Sequence, residues 1–177
     1  LIDCLSLKKP RMSEQIVILD QKAIKHKIKR IAYQIYEANV REEEVIIAGI
    51  KENGYTLAKQ LKKEVEQISP LKVELCAVNI NKRSPIDEIT TSMKLEEFEG
   101  CSLVLVDDVL HSGTTLIYGV RHFLSVPLKR FKTAVLVDRN HKKYPVKADY
   151  KGISLSTSIN ENIDVRFNKG AWSAVLE

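Results

Sequence analysis

LVLVDDVLHSGTT, residues 103–115, specifies the architecture more tightly than any other stretch of this chain. Four apolar residues, Leu103, Val104, Leu105 and Val106, lead into the acidic pair Asp107 and Asp108. Three residues then separate the pair from a turn, Ser112-Gly113-Thr114-Thr115. An apolar run without alternation suits a strand buried on both faces, and the residues after the turn have the spacing of a helix, expected over 115–124. In an open α/β sheet, ligands bind beyond the carboxyl ends of the strands, where this turn would sit. The turn supplies backbone N–H groups, hydroxyl donors and the positive end of a helix dipole, which are the requirements of a phosphate cradle. Two carboxylates would repel that phosphate but suit neighbouring sugar hydroxyls, each accepting a charge-assisted hydrogen bond. Acids beside a cradle describe a site for a ribose 5-phosphate.

The flanking sequence supplies the remainder of such a sheet. Upstream, Ile24, Ile28, Ile31 and Ile35 recur at helical spacing, with Asp20 as N-cap and Asn39 as stop. Val45, Ile46, Ile47, Ala48 and Gly49 read as a buried strand, and Gly54 opens a helix with Leu57, Leu61 and Val65 on one face. A second strand is expected over 72–80 and another over 133–137. Strand–helix–strand therefore occurs twice, with crossovers long enough to require parallel pairing. The polar stretch 81–100 has the length of a functional lid, with a short strand or turn within 93–98. The last forty-odd residues read as short strands and turns. The expected fold is α/β: a central parallel sheet flanked by helices, with a small C-terminal appendage. Residues 1–15 read as a loose leader, 16–177 as a single domain, and Leu176-Glu177 as dispensable to it.

Composition excludes several classes. A length of 177 residues fits one domain, and 7 glycines with 5 prolines are too few for a low-complexity chain. The balance of 28 Lys+Arg against 23 Asp+Glu gives +5, which is compatible with anionic partners without choosing one. Cys4, Cys76 and Cys101 are odd in number and widely spaced, which speaks against a disulfide framework or structural zinc and for a reducing compartment. No apolar run approaches the ~20 residues of a bilayer span. The first twelve residues place their basic groups after their apolar ones, the reverse of a secretory signal. The expectation is a cytoplasmic protein without a membrane segment.

Two look-alikes fail. Residues 49–56, GIKENGYT, have the glycines and threonine of a nucleotide-binding P-loop, but Tyr55 occupies the lysine position. A two-component receiver would need a phosphoacceptor aspartate and a downstream lysine on later strands, and too little regular α/β chain follows Asp138.

The 103–115 segment resembles the phosphoribosyl-pyrophosphate signature of type I phosphoribosyltransferases. Together with IIAGIKENGYTLA (46–58) and LVDRNHKKYPVKADYKGISLSTS (136–158), it is similar to the family of bifunctional pyrimidine operon attenuators and uracil phosphoribosyltransferases, from about Ile18 to Val165. The resemblance implies a transferase that joins phosphoribosyl pyrophosphate to a nucleobase, by that likeness the pyrimidine uracil, with Mg²⁺ carried by the substrate and water rather than by protein ligands. It implies that Asp107 and Asp108 meet the ribose hydroxyls, and that His111, Ser112, Gly113, Thr114 and Thr115 hold the 5-phosphate. Ile50, Lys51, Glu52, Asn53 and Gly54 correspond to the pyrophosphate loop, and Asp138 and Arg139 to the strand end facing the base. Purine-salvage relatives have lysine where Asp138 stands. Residues 81–98 correspond to a mobile lid carrying Lys82 and Arg83, and residues 139–177 to the hood over the base. A homodimer or higher homo-oligomer is also implied.

The chain departs from that family at defined places. Glu52-Asn53 replaces Thr-Arg, Thr114 replaces the cradle arginine, and Asn140 replaces a glycine. The family's regulators bind RNA; His141, Lys142 and Lys147 match its RNA-facing positions, whereas Tyr33, Ala38 and Ile153 replace a histidine, an arginine and a lysine. Lysines can still contact phosphates without reading sequence. Two other readings stay open: a regulatory RNA- or nucleotide-binding protein with little turnover, and a phosphoribosyltransferase acting on a purine. His26 and His122 read as helix surface or packing residues, and Phe167 and Trp172 as core or interface anchors.

Overall fold

The computed structural model describes residues 15–81, 84–140, 142–156, 161–168 and 171–177. Apart from Gln15, the leader lies outside these residues, as do Lys82, Arg83 and His141. Strand β1 (Ile16–Leu19) leads into helix α1 (Gln21–Ala38). The Asp20 carboxylate accepts the Ala23 N–H at 2.7 Å, closing the helix start as the sequence suggested. Ile24, Ile28, Ile31 and Ile35 form its buried stripe, and Asn39 ends it, its N–H donating to Tyr36 C=O.

Strand β2 (Glu44–Ile50), helix α2 (Asn53–Ile68), strand β3 (Lys72–Asn79) and the two-residue strand β4 (Thr90–Thr91) come next. Strand β5 (Ser102–Leu110), helix α3 (Thr114–Phe123), strand β6 (Arg130–Arg139) and strand β7 (Tyr150–Leu155) complete the main sheet. Its order is β4-β3-β2-β5-β6-β7, parallel throughout except for the β3–β4 edge. Successive side chains of a strand point to opposite faces. Val104 and Val106 therefore pack toward α1 and α2, while Leu103 and Leu105 pack with Leu116 and Phe123 of α3. The chain lays β3 on one side of β2 and β5 on the other, so the order reverses between β2 and β5. That switch point leaves a crevice at the carboxyl ends of the two strands.

Several details differ from the sequence reading. Strand β5 runs on through Asp107 and Asp108 to Leu110, because the pairing with β6 continues to Leu110↔Asp138. The appendage is a separate antiparallel sheet of order β1-β9-β8, built from strands β8 (Ile163–Asn168) and β9 (Ala171–Leu176) with the N-terminal β1. Residues 150–155 join the main sheet instead. Leu176 pairs with Ile16 and Ile163, and the backbone of Glu177 exchanges hydrogen bonds with Asn162, so these last residues are part of the small sheet. The polar stretch is also better anchored than its composition suggested. Ile89, Met93 and Leu95 pack against the α3-side core and Phe98 is fully buried.

Candidate active site

The loop after β2 and the turn after β5 meet at the switch point. Gly54, in the first turn of α2, lies against β5: a Cβ there would stand 2.8 Å from Val106 C=O and 3.0 Å from Asp107 Cα. Only glycine lets the helix start rest on the strand beside the acids. The Lys51–Glu52 peptide is cis. Lys51, Glu52 and Asn53, with Asn79 and Ile80, line a cavity of about 290 Å³, large enough for a small polyanion such as pyrophosphate.

Both acids are buried, Asp107 and Asp108 at 5 % and 8 % exposure. They are not equivalent. Asp107 accepts the N–H of Asp108 at 3.0 Å and lines a small cavity with His111, Ser112, Gly113, Thr114 and Thr115. Asp108 accepts the side-chain amide of Asn53 at 3.0 Å. Asp108 thus meets Asn53, whereas Asp107 lies between the turn after β5 and Gly54, where a Cβ would stand 3.3 Å from its Oδ1.

The turn itself is a built cradle. Gly113 is the N-cap of α3 with φ +81°, a left-handed conformation that favours glycine. Intrahelical bonding begins with Ile117 N–H to Gly113 C=O at 3.0 Å, so the preceding helical amides have no intrahelical partner. The hydroxyls of Ser112 and Thr114 lie 2.8 Å apart. Ser112 C=O accepts the N–H groups of Lys143 and Tyr144 at 2.9 and 3.1 Å, which fixes the turn from behind.

The end of β6 carries Asp138 and Arg139, and both are held by neighbouring side chains. Asp138, 2 % exposed, is engaged by Lys142 Nζ at 2.8 Å and Lys151 Nζ at 2.9 Å. Burial would raise its carboxyl, but hydrogen bonds from the two ammonium groups outweigh it and hold it below the usual range. Lys142 is engaged in this pair, with its side chain 15 % exposed. Lys147 is exposed, as expected. The Arg139 guanidinium is also buried and meets the His111 ring, 2.8 Å from Nε2. It therefore links the end of β6 to the turn after β5.

The i,i+4 spacing of Asp138 and Lys142 carried no signal for their pairing, because that rule holds along a helix and Asp138 lies on strand β6. No sequence pattern announced Asn53–Asp108, Arg139–His111 or Lys151–Asp138, which join residues distant in the chain. A further cavity of about 390 Å³ lies between Pro85, Ile86, Asp87, Glu88 and Ile89 and the outer face of α3, and shares no lining residue with the cradle. Among the described residues no cluster of three or more His, Cys, Asp and Glu side chains forms a metal site, and no helix is long and apolar enough to cross a membrane.

Two half-buried histidines, His111 and His122, bear on how stability varies with pH. Burial lowers the basicity of His111, Arg139 lowers it further, and a hydrogen bond with Asn162 opposes them. His122 is lowered by burial alone. An unfolded histidine takes its proton near pH 6.5, so below that the unfolded state binds more protons. The stabilisation is complete above ~6.5 and is lost as pH falls toward the depressed folded values. Asp138 does not interfere, since its contribution disappears only below ~3.8. Urea midpoints should be lower at pH 5.5 than at 7.5, and the difference should shrink in a His111→Gln, His122→Gln variant. An equal difference in both proteins would show that other groups cause it.

A crevice at the switch point, a helix-capped anion cradle and buried acids on the strand between define a type I phosphoribosyltransferase. A family model described as the phosphoribosyl transferase domain matches residues 15–168, and the chain belongs to that family. Within it the chain is PyrR-like. It is 37% identical over 153 residues to the bifunctional protein PyrR of Streptococcus equi subsp. zooepidemicus, covering 84% of this chain and 88% of that one. It is 31% identical over 165 residues to the bifunctional protein PyrR of Clostridium kluyveri, covering 89% and 93%. In fold it is similar to the hypoxanthine phosphoribosyltransferase of Trypanosoma cruzi, with a TM-score of 0.72, 16% identity and 83% of each chain covered. A hypoxanthine-guanine phosphoribosyltransferase from Bacillus anthracis superposes with a TM-score of 0.68 at 19% identity, over 81% of this chain and 84% of that one.

Proposed function

We propose that this protein transfers the 5-phosphoribosyl group of phosphoribosyl pyrophosphate to a ring nitrogen of uracil, releasing pyrophosphate. The observation that carries the reading is the meeting of three elements at the switch point: the cradle after β5, the buried acids within it, and the loop after β2. In this reading the turn from His111 to Thr115 holds the 5-phosphate, and Asp107 and Asp108 accept hydrogen bonds from the ribose hydroxyls. Lys51 faces the pyrophosphate cavity. Uracil is preferred over a purine because relatives at 30% identity and above are named PyrR, whereas the likeness to purine enzymes, at 16–19% identity, concerns the fold.

Displacement at C1 needs no protein nucleophile. The ribose cation that develops is shielded by the buried acids, and the phosphate ends are held apart by two separate loops, so the protein contributes positioning and electrostatics. Mg²⁺ fits this site as a companion of the substrate: a hard ion takes oxygen ligands and keeps waters, and Asp107 and Asp108 are the residues that would hold it through those waters. When bound, it would neutralise charge on the leaving pyrophosphate. The lid implied for 81–98 includes Lys82 and Arg83, which lie outside the described residues, while Ile89, Met93, Leu95 and Phe98 of that stretch pack with the core. The hood is the β1-β9-β8 sheet.

A second reading, a nucleotide-responsive regulator with little turnover, is favoured by one feature: residues 52 and 53 bring a carboxylate and an amide, not a cation, to the pyrophosphate side. One experiment separates the readings. Radiolabelled uracil, hypoxanthine, guanine, adenine and orotate are each offered with phosphoribosyl pyrophosphate and Mg²⁺. Uracil should be converted in preference. Preferred conversion of a purine would overturn the assignment of the base, and binding without conversion of any base would establish the regulator. Asp107→Asn and Asp108→Asn should each slow conversion roughly ten- to a hundredfold, as expected for one charge-assisted hydrogen bond worth ~1.5–3 kcal/mol. A covalent ribosyl adduct on either aspartate, found by mass spectrometry, would replace this role with that of a nucleophile.

A further inference from the structure

The side chain of Asn53 does more than line the pyrophosphate cavity. An amide nitrogen has two N–H bonds, and both are used: one donates to Asp108 Oδ2 at 3.0 Å, the other to Val165 C=O at 2.7 Å. Three segments far apart in the chain converge on this one nitrogen: the loop after β2, strand β5, and strand β8 of the small sheet. Asp108 is nearly buried, and Val165 is buried at 2 % exposure. Any other partner for these acceptors would have to be brought into a place that bulk water hardly reaches.

We infer that Asn53 is a positioning residue that sets the Asp108 carboxylate and the small sheet in one geometry, so that the ribose acid and the hood over the base are aligned together. The inference rests on the reading of Asp108 as a ribose-binding acid. A carboxylate with one oxygen held keeps its other oxygen aimed, and a ribose hydroxyl then meets a fixed acceptor rather than a rotating one. The chemistry at position 53 is narrow. Aspartate would set a carboxylate against a carboxylate and a carbonyl, three acceptors with no donor between them. Alanine would leave both acceptors without the donor they share. A merely structural asparagine would hold the small sheet without altering ribose recognition, and the two roles can be told apart.

The test uses the full chain and three proteins: wild type, Asn53→Ala and Asn53→Asp. Affinity for phosphoribosyl pyrophosphate with Mg²⁺ is measured by calorimetry between pH 7.5 and 5.5. Hydrogen exchange of β8 is measured without ligand, with β3 as an internal control of folding. Asn53→Ala should weaken binding roughly tenfold or more, the loss expected for a hydrogen bond that orients a charged group, and should speed exchange in β8 but not in β3. In Asn53→Asp the weakening should diminish as pH falls, because a protonated carboxyl regains one donor. Wild-type affinity in Asn53→Ala overturns the positioning role, and unchanged β8 exchange overturns the link to the small sheet. A wild-type protein that binds no phosphoribosyl pyrophosphate refutes the ribose reading itself, and the exchange data still decide the link.

Discussion

Gly113→Val is expected to abolish phosphoribosyl pyrophosphate binding in a protein that otherwise folds. Two independent physical terms act at this position. With φ at +81°, any side chain at residue 113 adopts a backbone conformation that L-residues rarely accept, at a cost of about 1–3 kcal/mol. A Cβ would also stand 2.6 Å from Val146 Cγ1 and 3.5 Å from Tyr144 C=O. The sequence alone suggests that a branched side chain would crowd the anion; the structure shows that it collides first with the segment behind the turn. Tyr144, next to that collision, also donates its N–H to Ser112 C=O, so relief by outward movement opens the cradle. The turn would no longer present the geometry proposed to hold the 5-phosphate. Calorimetry should show no binding at concentrations that saturate the wild type, with far-UV dichroism unchanged. Retained affinity would mean that the 5-phosphate lies elsewhere.

The second large effect is expected at Gly54, from a single methyl group. Gly54→Ala places a Cβ 2.8 Å from Val106 C=O, 3.0 Å from Asp107 Cα and 3.3 Å from Asp107 Oδ1. Two of these are backbone atoms of the central strand, hydrogen-bonded on both sides, and cannot give way as a flexible side chain would. Helix α2 must therefore lift from β5, at a cost of about 1–3 kcal/mol for overpacking. The damage is not confined to stability. Asn53 precedes this residue, so lifting the helix withdraws the amide from Asp108, and binding should weaken together with the fall in urea midpoint. A variant with wild-type midpoint and affinity would show that the contact between α2 and β5 is looser than these distances imply.

Local patterns in the chain were enough to specify the helices and the central strands of the main sheet, but not β1 or β4. Ile24, Ile28, Ile31 and Ile35 specify a helix and its buried face through spacing alone, and Asp20 specifies where it starts. The runs at 45–49 and 103–106 specify buried strands, and crossover length specifies parallel pairing. These properties are governed by the 3.6- and 2-residue periods and by capping, and a chain can be read for them one window at a time. The cradle was legible for the same reason: Ser112, Gly113, Thr114 and Thr115 act through a turn contiguous in sequence.

Which distant groups face one another was settled by tertiary packing alone. Asp107 and Asp108 are neighbours in sequence, yet they meet different partners, and burial rather than spacing makes them stringent acceptors. Lys142, beyond the end of β6, and Lys151, on β7, both neutralise Asp138, which a charge count cannot specify. Asn53 in the sequence is a missing cation in a loop; in the fold it is the donor joining β5 to β8. The small sheet takes β1 from one end of the chain and β8 and β9 from the other, since its apolar faces are completed only when both ends meet. Long-range hydrogen bonds and ion pairs leave no periodic trace in a sequence, because their partners are set by the packing of whole elements rather than by neighbouring residues.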